Sequence, residues 1–498
     1  AHLQRSRCFD AGSGFRHVSG GSSSGSGLVS AALAAGLLLG AQQTASPVRC
    51  DEPDKRKVRG LFDKLDVNKD GMITREEWDA GMLNAPKSNE DLIMSADCGG
   101  TTTRLMIFAV DPTEQFQSKS LAPGRLLFER KYPNILFKGF NTIVSTFLED
   151  ASEAIGQEKP NIKIGVFAVA GVVTKNQCRY TNLDWFVDGE ELCGIVGAER
   201  IEIINDFVAQ GYGVLTLNDG EVDRLNSVEP QEGAPMAVVG AGTGLGSCFL
   251  FQGRTGEYKA YPSEGGHVEF APRGHGSDDV QTSLLKHLKI KLSGWNRVSI
   301  ERVVSGRGIC NVYDFLAYQY PHRVDKLTHE KFMKSPHDAS IVSTNAWPGS
   351  LCEEALQIFA ACYGGYCGNT AITLMPFGGL YLSGGVTNKL KEWMMRDGSF
   401  MEAYQDKGRV SPILGNVPLF IVKGEDMGQR GAHLRAVMLL HQIRAGIQAY
   451  HLPSGPAELV APRSLDSDVL SQEIAKTINE YQSGNLRFSK AKNQPPQH

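Results

Sequence analysis

The stretch that decides the fold reads Asp97-Cys98-Gly99-Gly100-Thr101-Thr102-Thr103-Arg104, set between the apolar runs 92–96 (LIMSA) and 105–110 (LMIFAV). Two apolar runs of strand length joined by a Gly-Gly-Thr turn predict a β-hairpin. Glycines let the backbone approach a ligand closely, and successive N–H groups in a tight turn form a nest for an anion. A carboxylate just before such a turn, here Asp97, is suited to a hydrated magnesium ion. Working outward, a third strand is expected near 125–131. An amphipathic helix follows, marked by Phe140, Ile143, Val144, Phe147, Leu148 and Ala151, and then a strand at 162–170. The pattern then returns. Residues 236–240 enter Gly240-Ala241-Gly242-Thr243-Gly244-Leu245-Gly246, and residues 247–252 leave it. A lone glycine-rich turn reads as a plain hairpin. Two of them about 140 residues apart predict two related lobes, each offering a backbone turn to one polyphosphate. No G-x-x-x-x-G-K-[ST] string occurs, which excludes a Walker-type loop.

Composition narrows the class. The 498 residues are 41% hydrophobic and 21% charged, enough for a large core and incompatible with a wholly disordered chain. Lys and Arg number 51 against 55 Asp and Glu, a net charge of −4, so a nucleic-acid-coating protein is not expected. The ten cysteines stand singly with no C-x-x-C pair, a pattern of free thiols in a reducing compartment. A soluble enzyme is the starting expectation.

The N-terminal residues differ from the rest. Residues 1–50 hold a single acid, Asp10, against Arg5, Arg7, Arg16 and Arg49, with a Ser/Gly tract and an apolar run over residues 28–40. As a helix that run would rise about 20 Å, too short for a ~30 Å hydrocarbon core, so no stable membrane insertion is expected. The composition reads as an organelle import segment for a mitochondrion or plastid, the alternative being a cytoplasmic protein with a leader that carries no address. Residues 51–88 read as a compact EF-hand unit. Val58, Leu61, Phe62 and Leu65 make one helical stripe, and the loop DVNKDGMITREE follows. Asp66, Asn68, Asp70, the Met72 carbonyl and Glu77 stand at loop positions 1, 3, 5, 7 and 12, with Gly71 at 6. Oxygen donors at that spacing wrap a calcium ion. An acidic helix–loop–helix without useful affinity is the alternative.

Further motifs carry a resemblance. They are Thr181-Asn182-Leu183-Asp184-Trp185, Ile204-Asn205-Asp206-Phe207, Ser263-Glu264-Gly265-Gly266-His267 and Glu301-Arg302-Val303-Val304-Ser305-Gly306. Phe377-Gly378-Gly379 through Ser383-Gly384-Gly385-Val386 and Asp406-Lys407-Gly408-Arg409 complete the series. In this order, over residues 91–444, the chain resembles the bacterial-type glucokinase family of the sugar kinase, actin and heat-shock chaperone ATPase superfamily. Val172 and Arg307 depart from the family pattern beside the sugar-facing segments. The resemblance implies an α/β, two-lobed ribonuclease-H-like (actin-like ATPase) sugar kinase fold, with a small lobe over 91–204 and a large lobe over 205–444. It implies ATP with Mg2+, glucose as acceptor and a homodimer. It does not reach the tail 445–498, whose role the sequence leaves open.

Phosphoryl transfer asks a protein mainly for alignment and charge neutralisation. The acceptor is a neutral hydroxyl, so a carboxylate must take its proton. Asp206, ending the run 201–205 (IEIIN), fits that role at a strand end, where α/β proteins place their crevice. Asn205 beside it suits sugar hydroxyls, and Asn-Asp after a strand is equally a helix N-cap. Glu264 and His267, with Glu301, resemble the family's sugar-binding set. Asp97, Gly99, Gly100, Thr101 and Thr102, then Gly242, Thr243 and Gly244, then Gly384 and Gly385, are the expected ATP and phosphate contacts. The leading expectation is phosphorylation of glucose at the 6-hydroxyl. The alternatives are a kinase for another hexose or hexosamine, and a calcium-responsive sugar or nucleotide sensor on the same scaffold.

Overall fold

The hairpin around Asp97 is the first element of the structure, a computed structural model that describes residues 86–180, 183–274, 279–292 and 296–446. The segment 1–50, the EF-hand loop with Asp66, Asn68, Asp70, Met72 and Glu77, the pair Thr181-Asn182 and the tail beyond 446 lie outside the described residues.

Strands β1 (Asp91–Cys98) and β2 (Thr102–Val110) pair antiparallel, with Asp97 opposite Arg104 and Cys98 opposite Thr103. Strand pairing thus runs into the Gly/Thr motif and leaves a tip of three residues. After β3 (Arg125–Pro133), α1 (Phe140–Ile155) turns its expected apolar stripe into the core, and β4 (Ile162–Val169) returns parallel to β1. A small antiparallel sheet of β5 (Val173–Thr174), β6 (Gln177–Arg179) and β7 (Phe186–Asp188) follows. Then come α2 (Gly189–Val196) and β8 (Arg200–Asn205). The first sheet has the order β3-β2-β1-β4-β8.

Helix α3 (Asp206–Val214) and the short β9 (Val222–Arg224) lead into β10 (Met236–Ala241), β11 (Leu245–Gln252) and β12 (Tyr258–Ser263). Between β12 and the next strand lies a helical insert. It consists of α4 (Val280–Lys291), α5 (Gly306–Gln319), α6 (Lys326–Lys334), α7 (Ala339–Thr344) and the long α8 (Leu351–Leu374). The chain then runs through β13 (Gly379–Ser383), α9 (Gly385–Arg396), α10 (Ser399–Gln405), α11 (Ser411–Leu414) and β14 (Leu419–Val422), ending in α12 (Met427–Arg444). The second sheet has the order β12-β11-β10-β13-β14-β9. Its first five strands repeat the first sheet: three antiparallel, then two parallel. The repeated hairpins in the sequence are therefore the same corner of two like sheets.

Both sheets are covered on both faces, which is why their strands read as apolar runs rather than alternations. Leu92, Met94 and Ala96 face one core with α1 and α2. Ile93, Ile164 and Val166 face a central core that also takes Val238 and Leu250 from the second sheet. Helices α3 and α12 fill that centre, so α12 returns from the end of the described chain to pack on β1, β4 and α3. The opposite face of the second sheet packs on α5 and α8.

The α3–α12 crossing depends on absent side chains. A Cβ added at Gly431 of α12 would lie 1.6 Å from the Ala209 carbonyl of α3. Arg435 of α12 holds Glu202 of β8 in a two-pronged ion pair, 3.1 Å from Nε and 2.7 Å from Nη2, largely buried. Gly431→Ala should destabilise by about 1–3 kcal/mol or more through overpacking. Gly194→Ala, on the exposed side of α2 with nothing within 4 Å, should instead stabilise by up to about 1 kcal/mol. Urea unfolding of the two variants checks this pair of opposite signs.

Candidate active site

The first turn is closed by Gly99 N–H donating to the Thr102 carbonyl at 3.0 Å. Its brace is a residue that sequence reasoning missed. Buried Asn134 donates through Nδ2 to the Gly99 carbonyl (2.9 Å), accepts from Thr103 Oγ1 (2.9 Å), and gives its N–H to the Thr101 carbonyl (2.9 Å). The only available signal was its place just after the third strand. Gly100 and Thr101 stay accessible at the tip, as an anion nest requires. Asp97 lies under this turn and against the start of α12, where a Cβ added at Gly428 would be 3.5 Å from its carboxylate. Burial raises its carboxyl above the ordinary value, while Arg104, Gln429 and Lys131 pull it back.

The second turn is built differently. Gly242 N–H donates to the Gly244 carbonyl (2.8 Å), and Gly306 N–H at the start of α5 donates to the Gly242 carbonyl (2.9 Å). Glu301, expected among the sugar contacts, accepts from the Leu245 N–H at 3.0 Å. One of its oxygens is therefore engaged in holding this turn. Arg307 follows Gly306 in the first turn of α5. Thr243 is exposed at the tip. Gly384 and Gly385 directly follow β13, which runs parallel to β10 with Ser383 opposite Gly240, so they lie beside the second turn. Gly384 has φ +95°, and a Cβ there would lie 2.4 Å from the Ala241 carbonyl.

Asp206 is the first residue of α3, at the end of β8. Asn205 is the N-cap of that helix, its Oδ1 accepting from Phe207 N–H (2.9 Å) and Val208 N–H (3.3 Å). Its Nδ2 donates to the Gly171 carbonyl (3.1 Å) and to Asp206 Oδ1 (2.9 Å). Asn205 thus caps the helix and orients its neighbour. The Asp206 carboxyl is pushed up to about 6, first by burial and then by the like charges of Asp97 and Glu264, against a lowering hydrogen bond from the Phe207 N–H. Asp97 and Glu264 therefore act electrostatically on Asp206 although the three stand at separate strand ends.

Glu264 follows β12, and His267 ends the 3-10 turn Gly265–His267, with His267 Nε2 3.8 Å from Glu264 Oε2. Both side chains are more than half exposed, facing open space. The turn is fixed from below: a Cβ at Gly266 would lie 1.9 Å from the Leu245 carbonyl, so only glycine fits. Val172 is exposed in the loop after β4, next to the Gly171 carbonyl that Asn205 holds. Among the described residues no group of three or more His, Cys, Asp or Glu side chains could hold a metal ion.

Two like α/β sheets around a buried helical layer, with glycine turns and a carboxylate of raised pKa at strand ends, define a sugar kinase fold. The comparisons agree. The model of the Glucokinase family matches residues 94–438. A glucokinase of Synechocystis sp. is 36% identical over 351 residues, covering 68% of this chain and 96% of the relative. The crystal structure of a glucokinase from an Antarctic psychrotroph superposes with a TM-score of 0.57 at 26% identity, covering 70% of this chain and 98% of that one. A Balamuthia mandrillaris glucokinase, solved in complex with glucose, shares the fold with a TM-score of 0.58 at 20% identity, covering 73% and 99%. The chain belongs to the glucokinase family.

Proposed function

We propose that the protein is an ATP-dependent glucokinase that phosphorylates glucose at its 6-hydroxyl. The observation that carries this reading is Asp206, a half-buried carboxylate at the end of β8 whose pKa is pushed up to about 6. A group poised near neutral pH is the right base for a hydroxyl that becomes acidic only as it attacks. As the bond from the glucose O6 to the γ-phosphorus forms and the bond to ADP breaks, the O6 proton passes to Asp206. Glu264 and His267 bind the sugar hydroxyls. Glu301 and Asn205 serve the sugar mainly by fixing the second turn and the base. The N–H groups of Gly99 to Thr102 and of Gly242 to Gly244 receive the ATP phosphates, and Gly384 and Gly385 the adenosine.

Asp97 fits a magnesium ion, since Mg2+ commonly takes one or two carboxylates together with substrate phosphates and water. Bound there, the ion would neutralise phosphate charge. Closure of the two lobes on the sugar would exclude water. Asp206→Asn should lower kcat by about 10²–10⁴-fold. Glu264→Gln and His267→Ala should act mainly on the glucose KM, each losing contacts of about 1–3 kcal/mol. In wild type, kcat/KM should rise with pH through about 6 as Asp206 ionises. A kcat for Asp206→Asn near that of wild type contradicts the assignment.

The EF-hand pattern supports a calcium loop over Asp66, Asn68, Asp70, Met72 and Glu77, in a unit that stands before β1 and supplies no residue to the chemistry. With three charged ligands, affinity should be modest, on the order of 10⁻⁵–10⁻³ M. Calorimetric titration of wild type and Glu77→Gln with calcium checks this, and equal heats in the two proteins would sink it. We read the protein as a homodimer, testable by sedimentation. Residues 1–50 we read as an import segment, testable by fusing them to a fluorescent protein. Among the described residues no helix is long and apolar enough to cross a membrane.

A further inference from the structure

Beside the Glu264–His267 turn, and lined in part by Ser263 and Gly265, the large lobe contains a cavity of about 750 Å³. That lies within the 300–1,000 Å³ range of small-molecule sites. It contains none of Asp97, Asp206 and the two phosphate turns. Its walls are the segment after β12, one face of α8, and Asp406 and Lys407, half of the Asp-Lys-Gly-Arg motif that the catalytic reading leaves unused.

Two cations line this wall. Arg273 is held by its backbone N–H, which donates to Gln281 Oε1 at 2.8 Å, and its stem lies across Gly365 of α8. Lys407 lies across Gly368, one turn further along α8, and donates to the Ala403 and Asp406 carbonyls at 3.1 and 3.2 Å. An ammonium has three donors, so capacity remains. Glycine at both positions lets the two cations lie flat against the helix. The carboxylate between them is Asp406, which pairs with Arg273 at 2.5 Å and is itself exposed. The repulsion is felt: burial and then the Arg273 charge lower the Lys407 pKa. The other acid on the lining, Glu269, is exposed. Asn369 and Thr373, also on α8, bring an amide and a hydroxyl to the same cavity.

The cavity shares a wall with the sugar-facing turn. Ser263, Gly265 and Tyr366 line it. The Gly265 N–H donates to Ser263 Oγ at 3.0 Å, and a Cβ on Gly265 would lie 2.6 Å from both the Tyr366 hydroxyl and Ser247 Oγ. Tyr366 thus lies both on the cavity wall and against the turn that carries Glu264 and His267.

We propose that this cavity is a second ligand site, which takes the phosphate ester of a polyol of hexose size and transmits its occupancy through Tyr366 to the Glu264–His267 turn. The phosphate takes the place of the exposed Asp406 carboxylate on Arg273, where a guanidinium gives two parallel hydrogen bonds to phosphate, and Lys407 adds its charge. The hydroxyls meet Asn369 and Thr373. The proposal rests on the glucokinase reading only in taking that turn as the sugar-binding one.

The test uses the full chain, with glucose and a non-hydrolysable ATP analogue saturating so that the active site is filled. Sorbitol 6-phosphate, which is not the product, is the calorimetric probe, and inorganic phosphate is the second arm. Wild type should bind the probe with one-to-one stoichiometry. Arg273→Ala should weaken binding about tenfold or more through loss of charged hydrogen bonds. Asn369→Trp, which replaces the amide on the α8 wall with a bulky ring, should do the same. Inorganic phosphate should bind more weakly than the ester; equal affinity would show a site for free phosphate and overturn the polyol assignment. In steady-state assays the probe should shift the glucose KM of wild type by about twofold or more and leave that of both variants unmoved. No binding to wild type, or equal binding to all three proteins, overturns the site, and an unmoved wild-type KM overturns the coupling. Glucose turnover without probe is read separately, so a failure of the glucokinase reading is distinguishable from a failure of the cavity.

Discussion

Helix α3 is asked to do two things that conflict. Its first residue, Asp206, carries a charge, and its body is packed between two sheets and against α12. The carboxylate is therefore held, only partly exposed, at the end of a helix whose body is fixed in the centre of the molecule. Burial there is what raises its pKa, and two neighbouring carboxylates at other strand ends add to the effect. The site's basicity is thus a property of the fold rather than of any one contact. The Gly431 crossing and the Glu202–Arg435 pair are part of this packing.

The same layering explains why the two glycine turns differ in their supports. Each is the tip of a hairpin in one of two like sheets, yet the chain inserted around them is not alike. At the first tip the segment after β3 is at hand, so the buried amide of Asn134 can satisfy the turn's carbonyl and hydroxyl. At the second, the helical insert brings Glu301 and Gly306 to the turn. Glu301 links the two turns: its carboxylate holds the turn after β10 while its segment packs beside Gly265–His267. Asn205 is the corresponding case beside Asp206, where helix capping and site building are one arrangement.

Much of this was legible in residues. Apolar runs on either side of Asp97-to-Arg104 and Gly240-to-Gly246 reported their hairpins because both sheet faces are buried, and the repetition reported two like sheets. The stripe from Phe140 to Ala151 reported α1. Asp206 was legible from its position at the end of an apolar run. What stayed hidden was everything set by contacts distant in sequence. Nothing local in residues 427–444 says that they pack against β1, and the reason Gly431 is glycine lies in Ala209. Asn134 looked like an ordinary loop residue because its partners sit more than thirty positions away. The Arg273–Asp406 pair spans 133 positions, so the cavity beside the sugar turn had no signature in either motif alone.

If the buried layer sets the basicity of Asp206, then ionising that carboxylate must cost the fold stability. A carboxyl whose folded pKa lies above its unfolded value of about 3.9 destabilises the fold wherever it is charged, and the cost disappears below the unfolded pKa. Asp206→Asn removes the charge and keeps the acceptor oxygen for the Phe207 N–H. The direct measurement is the difference in unfolding free energy between this variant and wild type from pH 8 to pH 4. The account predicts that the variant is the more stable protein at pH 8, with the gap closing as pH falls through about 6 and gone near pH 4. A wild type at least as stable as the variant at pH 8 would contradict it.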